Sequence, residues 1–127
     1  MKMLVIDDSP AIQQKLMSYF KPLDHVVEYA SNGSEGIIKF EKFKPDIVFL
    51  DILLPVMGGE ETLRRMMKIN PTAKIIVISG CEYTSLIMQC LVDGGAVFVP
   101  KPFTLEHLDK AIKKAMQSRS RSNTIFQ

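Results

Sequence analysis

The chain has 127 residues, of which 46% are apolar and 24% charged, with a formal net charge of +2. That length fits one domain, and the near-balanced charge gives no argument for nucleic-acid binding by this domain. Cys81 and Cys90 lack CxxC spacing and His partners, which leaves no zinc set and makes free thiols in a reducing cytoplasm the simplest reading.

The order of elements follows from apolar runs and turn residues. Met3 to Ile6 reads as a first strand ending at Asp7-Asp8. Ser9-Pro10 is a helix start, with Ser as N-cap and Pro at the first helical position. Ile12, Leu16 and Phe20 share one helix face, and Lys21-Pro22 closes that helix. His25 to Ala30 is the second strand, followed by a Ser31-Asn32-Gly33 turn. The second helix turns Ile37, Phe40 and Phe43 inward. Ile47 to Leu50 is the third strand, ending at Asp51, and the loop after it carries Pro55, Gly58 and Gly59. The third helix, Gly59 to Asn70, buries Leu63, Met66 and Met67. Lys74 to Ile78 is a β-branched fourth strand ending at Ser79. A fourth helix near Thr84 to Val92 is apolar on most sides, with Cys90 as packing. Ala96 to Val99 is the fifth strand, followed by Pro100-Lys101-Pro102. Thr104 caps a last helix with Leu105, Leu108, Ile112, Ala115 and Met116 inward. Gln117 onward, with Ser-Arg-Ser-Arg-Ser, reads as flexible. No run is long enough to span a bilayer, and Met1 to Ile6 is too short for a signal peptide.

Alternating strands and helices force a parallel sheet with right-handed crossovers, hence a three-layer α/β sandwich. Its strands buried on both faces should be nearly all apolar, as the third, fourth and fifth are. All strand C-termini then share one edge, where ligands bind in such sheets. The residues there are Asp7, Asp8, Asp51, Ser79 and Lys101. Asp46, at the other end of the third strand, should be an ordinary surface residue. Three carboxylates held together need a cation or shifted pKa values, and oxygen ligands suit Mg²⁺. Asp7 and Asp8 alone would equally suit the N-terminal end of a helix. A lysine and a serine hydroxyl added to this set match the needs of a phosphoryl group, and an Asp can itself accept one. Neither a P-loop nor GxGxxG is present, so a nucleotide is not the evident ligand.

Asp7-Asp8, Asp51 with Leu54-Pro55-Val56-Met57-Gly58-Gly59, Ser79-Gly80 and Lys101-Pro102-Phe103 occur in order, each at an expected strand end. In these the chain resembles a response-regulator receiver domain of two-component signalling systems, over Met1 to about Gln117. The resemblance implies a flavodoxin-like (βα)5 fold with strand order 2-1-3-4-5. It implies a receiver domain over 1–117, with 118–127 as a flexible tail or truncated linker. Asp51 resembles the phospho-acceptor, and Lys101 the lysine that pairs with it. Asp8 and Asp51 resemble direct Mg²⁺ ligands, with Asp7 acting through a metal-bound water and the Leu53 backbone carbonyl as a third protein ligand. Mn²⁺ could substitute for Mg²⁺. Ser79 and Phe98 resemble the switch hydroxyl and the switch aromatic, and the Lys101-Pro102 bond resembles one that is cis in the family.

The partners implied are a sensor histidine kinase or a histidine phosphotransfer protein, docking near helix one and the Pro102-Phe103 loop. The face of helix four, strand five and helix five is the expected output surface, for a homodimer or a downstream protein. The chain departs from the family's commonest pattern at Leu54, at Gly58, and at Leu53 and Cys81, which flank the expected path of hydrolytic water. Slow autodephosphorylation follows from the last pair. The role is signalling, with catalysis limited to the protein's own phosphorylation and dephosphorylation. The alternatives are a phosphorylation-independent interaction module of the same fold, and a small Mg²⁺-dependent hydrolase.

Overall fold

The computed structural model describes residues 1–80 and 84–117. Cys81, expected at the site rim, and the segment 118–127, expected as a flexible tail, lie outside the described residues. The elements alternate: β1 (Lys2–Ile6), α1 (Pro10–Phe20), β2 (Val26–Ala30), α2 (Gly33–Phe43), β3 (Ile47–Asp51), α3 (Gly59–Ile69), β4 (Ile75–Ser79), α4 (Thr84–Val92), β5 (Val97–Pro100) and α5 (Leu105–Gln117). A 3₁₀ turn, Lys21–Leu23, follows α1. The strands form one parallel sheet in the order β2-β1-β3-β4-β5, the flavodoxin-like arrangement.

The period of two along each strand divides the core. Met3, Val5, Ile47, Phe49, Ile76 and Ile78 join Leu16 and Phe20 of α1 and Leu108 and Ala111 of α5. Leu4, Ile6, Val48, Leu50, Ile75 and Val77 join Phe40 of α2, Leu63 and Met66 of α3 and Cys90 of α4. That is why β1, β3 and β4 are apolar without alternation: both faces are covered. Burying each such side chain is worth about 1.5–3 kcal/mol. The Phe20 and Phe49 rings stack with centroids 5.6 Å apart and tie α1 to the middle of the sheet.

Two expectations are corrected, and a third gains a role. The run Ala96–Val99 reads like a strand buried on both faces, but β5 is an edge strand, and Val97 and Phe98 are only partly buried. Met116 is 45% exposed, whereas Ala111 is buried. At 3.6 residues per turn Met116 lies about 80° around the helix from Leu108, and Ala115 only about 20°. Asp46 is exposed, as a surface residue should be, but it has structural work. Its Oδ2 accepts the Lys2 N–H at 2.7 Å and its own N–H donates to the Lys2 carbonyl at 2.8 Å, which fixes β1 against β3 at the start of both strands.

On α4, Cys90 is fully buried while Met88 and Val92 are exposed. Among the described residues no helix is long and apolar enough to cross a membrane.

Candidate functional site

The C-terminal ends of β1, β3, β4 and β5 bring Asp7, Asp8, Asp51, Ser79 and Lys101 to one edge. The Asp7 N–H donates to the Ala30 carbonyl at 3.1 Å, which extends the β1–β2 pairing one residue past the strand. Its side chain is thereby turned inward, and the residue is 2% exposed. Asp7 Oδ1 accepts the Ser9 N–H at 2.9 Å. Ser9 in turn caps α1, its hydroxyl accepting the Ile12 N–H at 3.3 Å, with Pro10 opening the helix. One short run, Asp-Asp-Ser-Pro, therefore ends a strand, aims a carboxylate and starts a helix. Asp8 is exposed.

Asp51 closes β3 and is 6% exposed. Its Oδ1 accepts the Leu53 N–H at 3.0 Å. Behind it, Gly59 packs so tightly that a Cβ there would stand 2.5 Å from the Asp51 carbonyl oxygen and the Ile52 Cα. Its N–H donates to the Ile52 carbonyl at 2.8 Å, so the start of α3 is pinned to the strand end. The intervening loop has to turn sharply, and Val56 takes φ 65° to do so. A β-branched residue is a poor occupant of that left-handed region. Leu53 is 49% exposed and Val56 fully exposed, so the loop presents apolar surface beside Asp51.

Lys101 reaches across from the end of β5. Its Nζ donates to Asp7 Oδ2 at 2.8 Å and to Asp51 Oδ2 at 3.2 Å. Each of these carboxylates thus has one oxygen on a backbone N–H and the other on the same ammonium. The Lys101 N–H donates to the Ser79 carbonyl at 2.9 Å, and the Lys101–Pro102 peptide is cis. Ser79 is 1% exposed at the end of β4. Phe98 packs, partly buried, against the core on the α4 side of the sheet.

Burial pushes the Asp51 carboxyl above the ordinary carboxylate range. The Leu53 N–H and the Lys101 charge oppose that, and the Asp7 charge adds to it. For Lys101, burial disfavours the charge, but the hydrogen bond to Asp7 and the charges of Asp51 and Asp7 outweigh it, so the ammonium is held above its ordinary value. One carboxylate oxygen from each of Asp7, Asp8 and Asp51 lies within 4.8 Å of the others. Among the described residues, three carboxylates meet one ammonium here, which leaves two negative charges uncompensated. An all-oxygen donor set short of two positive charges fits a hard divalent cation.

Sequence reasoning missed two side chains of α1 that serve this edge. Gln13, 7% exposed, donates through Nε2 to the Asp7 carbonyl at 2.7 Å and to the Ser31 hydroxyl at 3.2 Å. Lys15 donates to the Phe103 carbonyl at 3.1 Å. Gln13 had a legible signal: it lies three residues before the buried Leu16, a polar residue on an inward face. Lys15 had none beyond its spacing of four to Tyr19.

Comparison with known proteins matches this arrangement over nearly the whole chain. The family model described as the response regulator receiver domain matches residues 3–113. The chain is 34% identical over 116 residues to the chemotaxis protein CheY of Listeria monocytogenes, covering 91% of this chain and 98% of that protein. It is 32% identical over 114 residues to CheY of Thermotoga maritima, covering 89% and 95%. Among solved structures it is similar to a chain of the CheX-CheY-BeF3-Mg²⁺ complex from Borrelia burgdorferi. There the TM-score is 0.85 and the identity 28%, with 91% of this chain and 88% of that chain covered. With the acidic pocket, the lysine that bridges it and the strand order all in place, the chain belongs to the response regulator receiver domain family.

Proposed function

We propose that this receiver domain is a cytoplasmic phosphoryl-accepting switch in which Asp51 is the acceptor. The observation that carries the reading is the single ammonium of Lys101 held between Asp7 and Asp51 in a pocket short of positive charge. An oxygen of Asp51 forms the bond to phosphorus as the phosphorus–nitrogen bond of a phosphohistidine breaks, and the leaving imidazole takes its proton from solvent. The donor is a sensor histidine kinase or a histidine phosphotransfer protein. Lys101 follows the phosphoryl oxygens as a point charge and Ser79 gives its hydroxyl hydrogen bond to one of them.

Asp8, Asp51 and the Leu53 carbonyl would hold Mg²⁺, with Asp7 acting through a bound water, and Mn²⁺ could substitute. The cation supplies charge neutralisation for the transferring group. The receiver unit runs over 1–117. Its switch is the pair Ser79 and Phe98, and its output surface is α4, β5 and α5, where Met88 and Val92 of α4 are exposed and Phe98 of β5 is only half-buried. A second copy or a downstream protein docks there. Catalysis is confined to the protein's own phosphorylation and slow dephosphorylation. Exposed Leu53 has no polar group to orient an attacking water, so Leu53→Asn is expected to shorten the phosphorylated lifetime several-fold, followed by loss of label. An unchanged lifetime contradicts that role.

Amide NMR during titration with beryllofluoride and Mg²⁺ tests the switch. Saturable shifts are expected at Asp8, Asp51 and Lys101 and also along α4, β5 and α5. Shifts confined to the pocket would remove the switch, and no binding would remove the function.

A further inference from the structure

Lys15 lies on α1, outside the acidic pocket, yet it grips the loop that delivers Lys101. Its Nζ donates to the Phe103 carbonyl at 3.1 Å and stands 4.9 Å from the centre of the Phe103 ring. The Tyr19 ring, one helical turn along α1, lies 5.9 Å from the same ammonium. Phe103 is 3% exposed and belongs to the core shared by α1 and α5. One cation therefore holds both the backbone and the ring of the residue two places after Lys101. On the other side the Lys101 N–H is held by the Ser79 carbonyl.

The 101–103 turn is thus fixed from β4 and from α1. Between those two anchors Lys101 must place one ammonium within hydrogen-bond distance of carboxylates on two different strands. A long lysine stem has many rotamers, so its aim depends on where its backbone is held.

We infer that Lys15 is a positioning residue for Lys101: through the Phe103 carbonyl and ring it sets the turn that aims the Lys101 ammonium at Asp7 and Asp51. This rests on the phosphoryl-accepting function proposed above. Two plainer roles compete with it. A lysine stem lying over apolar surface adds packing alone, and a cation on α1 adds a docking contact for the protein that donates the phosphoryl group. Lys15→Met keeps the stem and its contact with Phe103 but removes the cation and the donor. Lys15→Arg keeps both, since a guanidinium donates and stacks on aromatic rings.

The test compares wild type, Lys15→Met, Lys15→Arg, Lys101→Met and the Lys15→Met, Lys101→Met double variant. Each is assayed for phosphorylation by acetyl phosphate, a donor that needs no docking surface, and by a phosphorylated histidine protein. Mg²⁺ affinity and melting temperature are measured alongside. Lys15→Met is expected to slow labelling by acetyl phosphate roughly tenfold, with Mg²⁺ affinity unchanged. Lys15→Arg should restore the rate, and Lys15→Met should add nothing once Lys101 is gone. An equal rate in Lys15→Met overturns the inference. So does slowing with the protein donor alone, which marks a docking contact, or slowing that persists undiminished in the Lys101→Met background. A wild-type protein that takes up no phosphoryl group contradicts the proposed function itself, which separates the two failures.

Discussion

The two ends of β3 carry the same side chain in opposite circumstances. Asp46 is exposed, and both its carboxylate and its amide are used in holding Lys2. Asp51, five residues on, is buried beside a second carboxylate, and its proton is held more tightly than usual. The first spends its hydrogen bonds on the fold. The second is kept in a pocket with a shortage of positive charge, at a cost to the fold when no cation is present. Topology alone separates them, because a parallel sheet gathers the C-terminal ends of its strands at one edge and the N-terminal ends at the other.

The two carboxylates should differ most in metal binding. Asp51→Asn is expected to weaken Mg²⁺ affinity by roughly a hundredfold, at least the loss typical of removing a residue that only supports a metal ligand. Asp46→Asn should leave that affinity unchanged. Calorimetric titration of the two variants checks both, and equal affinities would erase the contrast.

They should differ next in their effect on stability without metal. Because burial raises the Asp51 pKa, the folded state binds that proton more tightly than the unfolded chain. Its contribution to stability is whole below the unfolded pKa and is lost as pH rises through the folded one. At neutral pH, Asp51→Asn should therefore raise the melting temperature of the metal-free protein by several degrees, and the gain should shrink on acidification. Asp46→Asn should lower it slightly. The smallest effect concerns the loop between Asp51 and α3. Val56 sits at φ 65°, and Val56→Asn should stabilise the fold by about 1 kcal/mol, because Asn tolerates the left-handed region. Denaturant unfolding measures it.

Much of this was legible in the sequence, and the reasons differ by element. The Ser9-Pro10 start of α1 could be read because capping is local chemistry. The apolar runs of β3 and β4 marked central strands because both faces are covered. The same logic failed at β5, whose run is as apolar although the strand is an edge, because pairing partners lie far away in sequence. Spacing alone could not give the strand order, and the family resemblance supplied it. The meeting of Asp7, Asp51 and Lys101 followed from topology. Gln13 was legible only as a polar residue on an inward face, not in its partners, the Asp7 carbonyl and the Ser31 hydroxyl. Lys15 was not legible at all, because the Phe103 carbonyl it holds leaves no mark on a side-chain pattern.

Whether Asp51 takes the phosphoryl group is decided by mass spectrometric mapping of wild type and Asp51→Asn after incubation with acetyl phosphate and Mg²⁺. The expected result is one phosphoryl group per wild-type chain, placed on the peptide containing Asp51 and absent when Mg²⁺ is chelated, with no label on Asp51→Asn. Stoichiometric label on Asp51→Asn, or label in wild type on a peptide lacking Asp51, would contradict it.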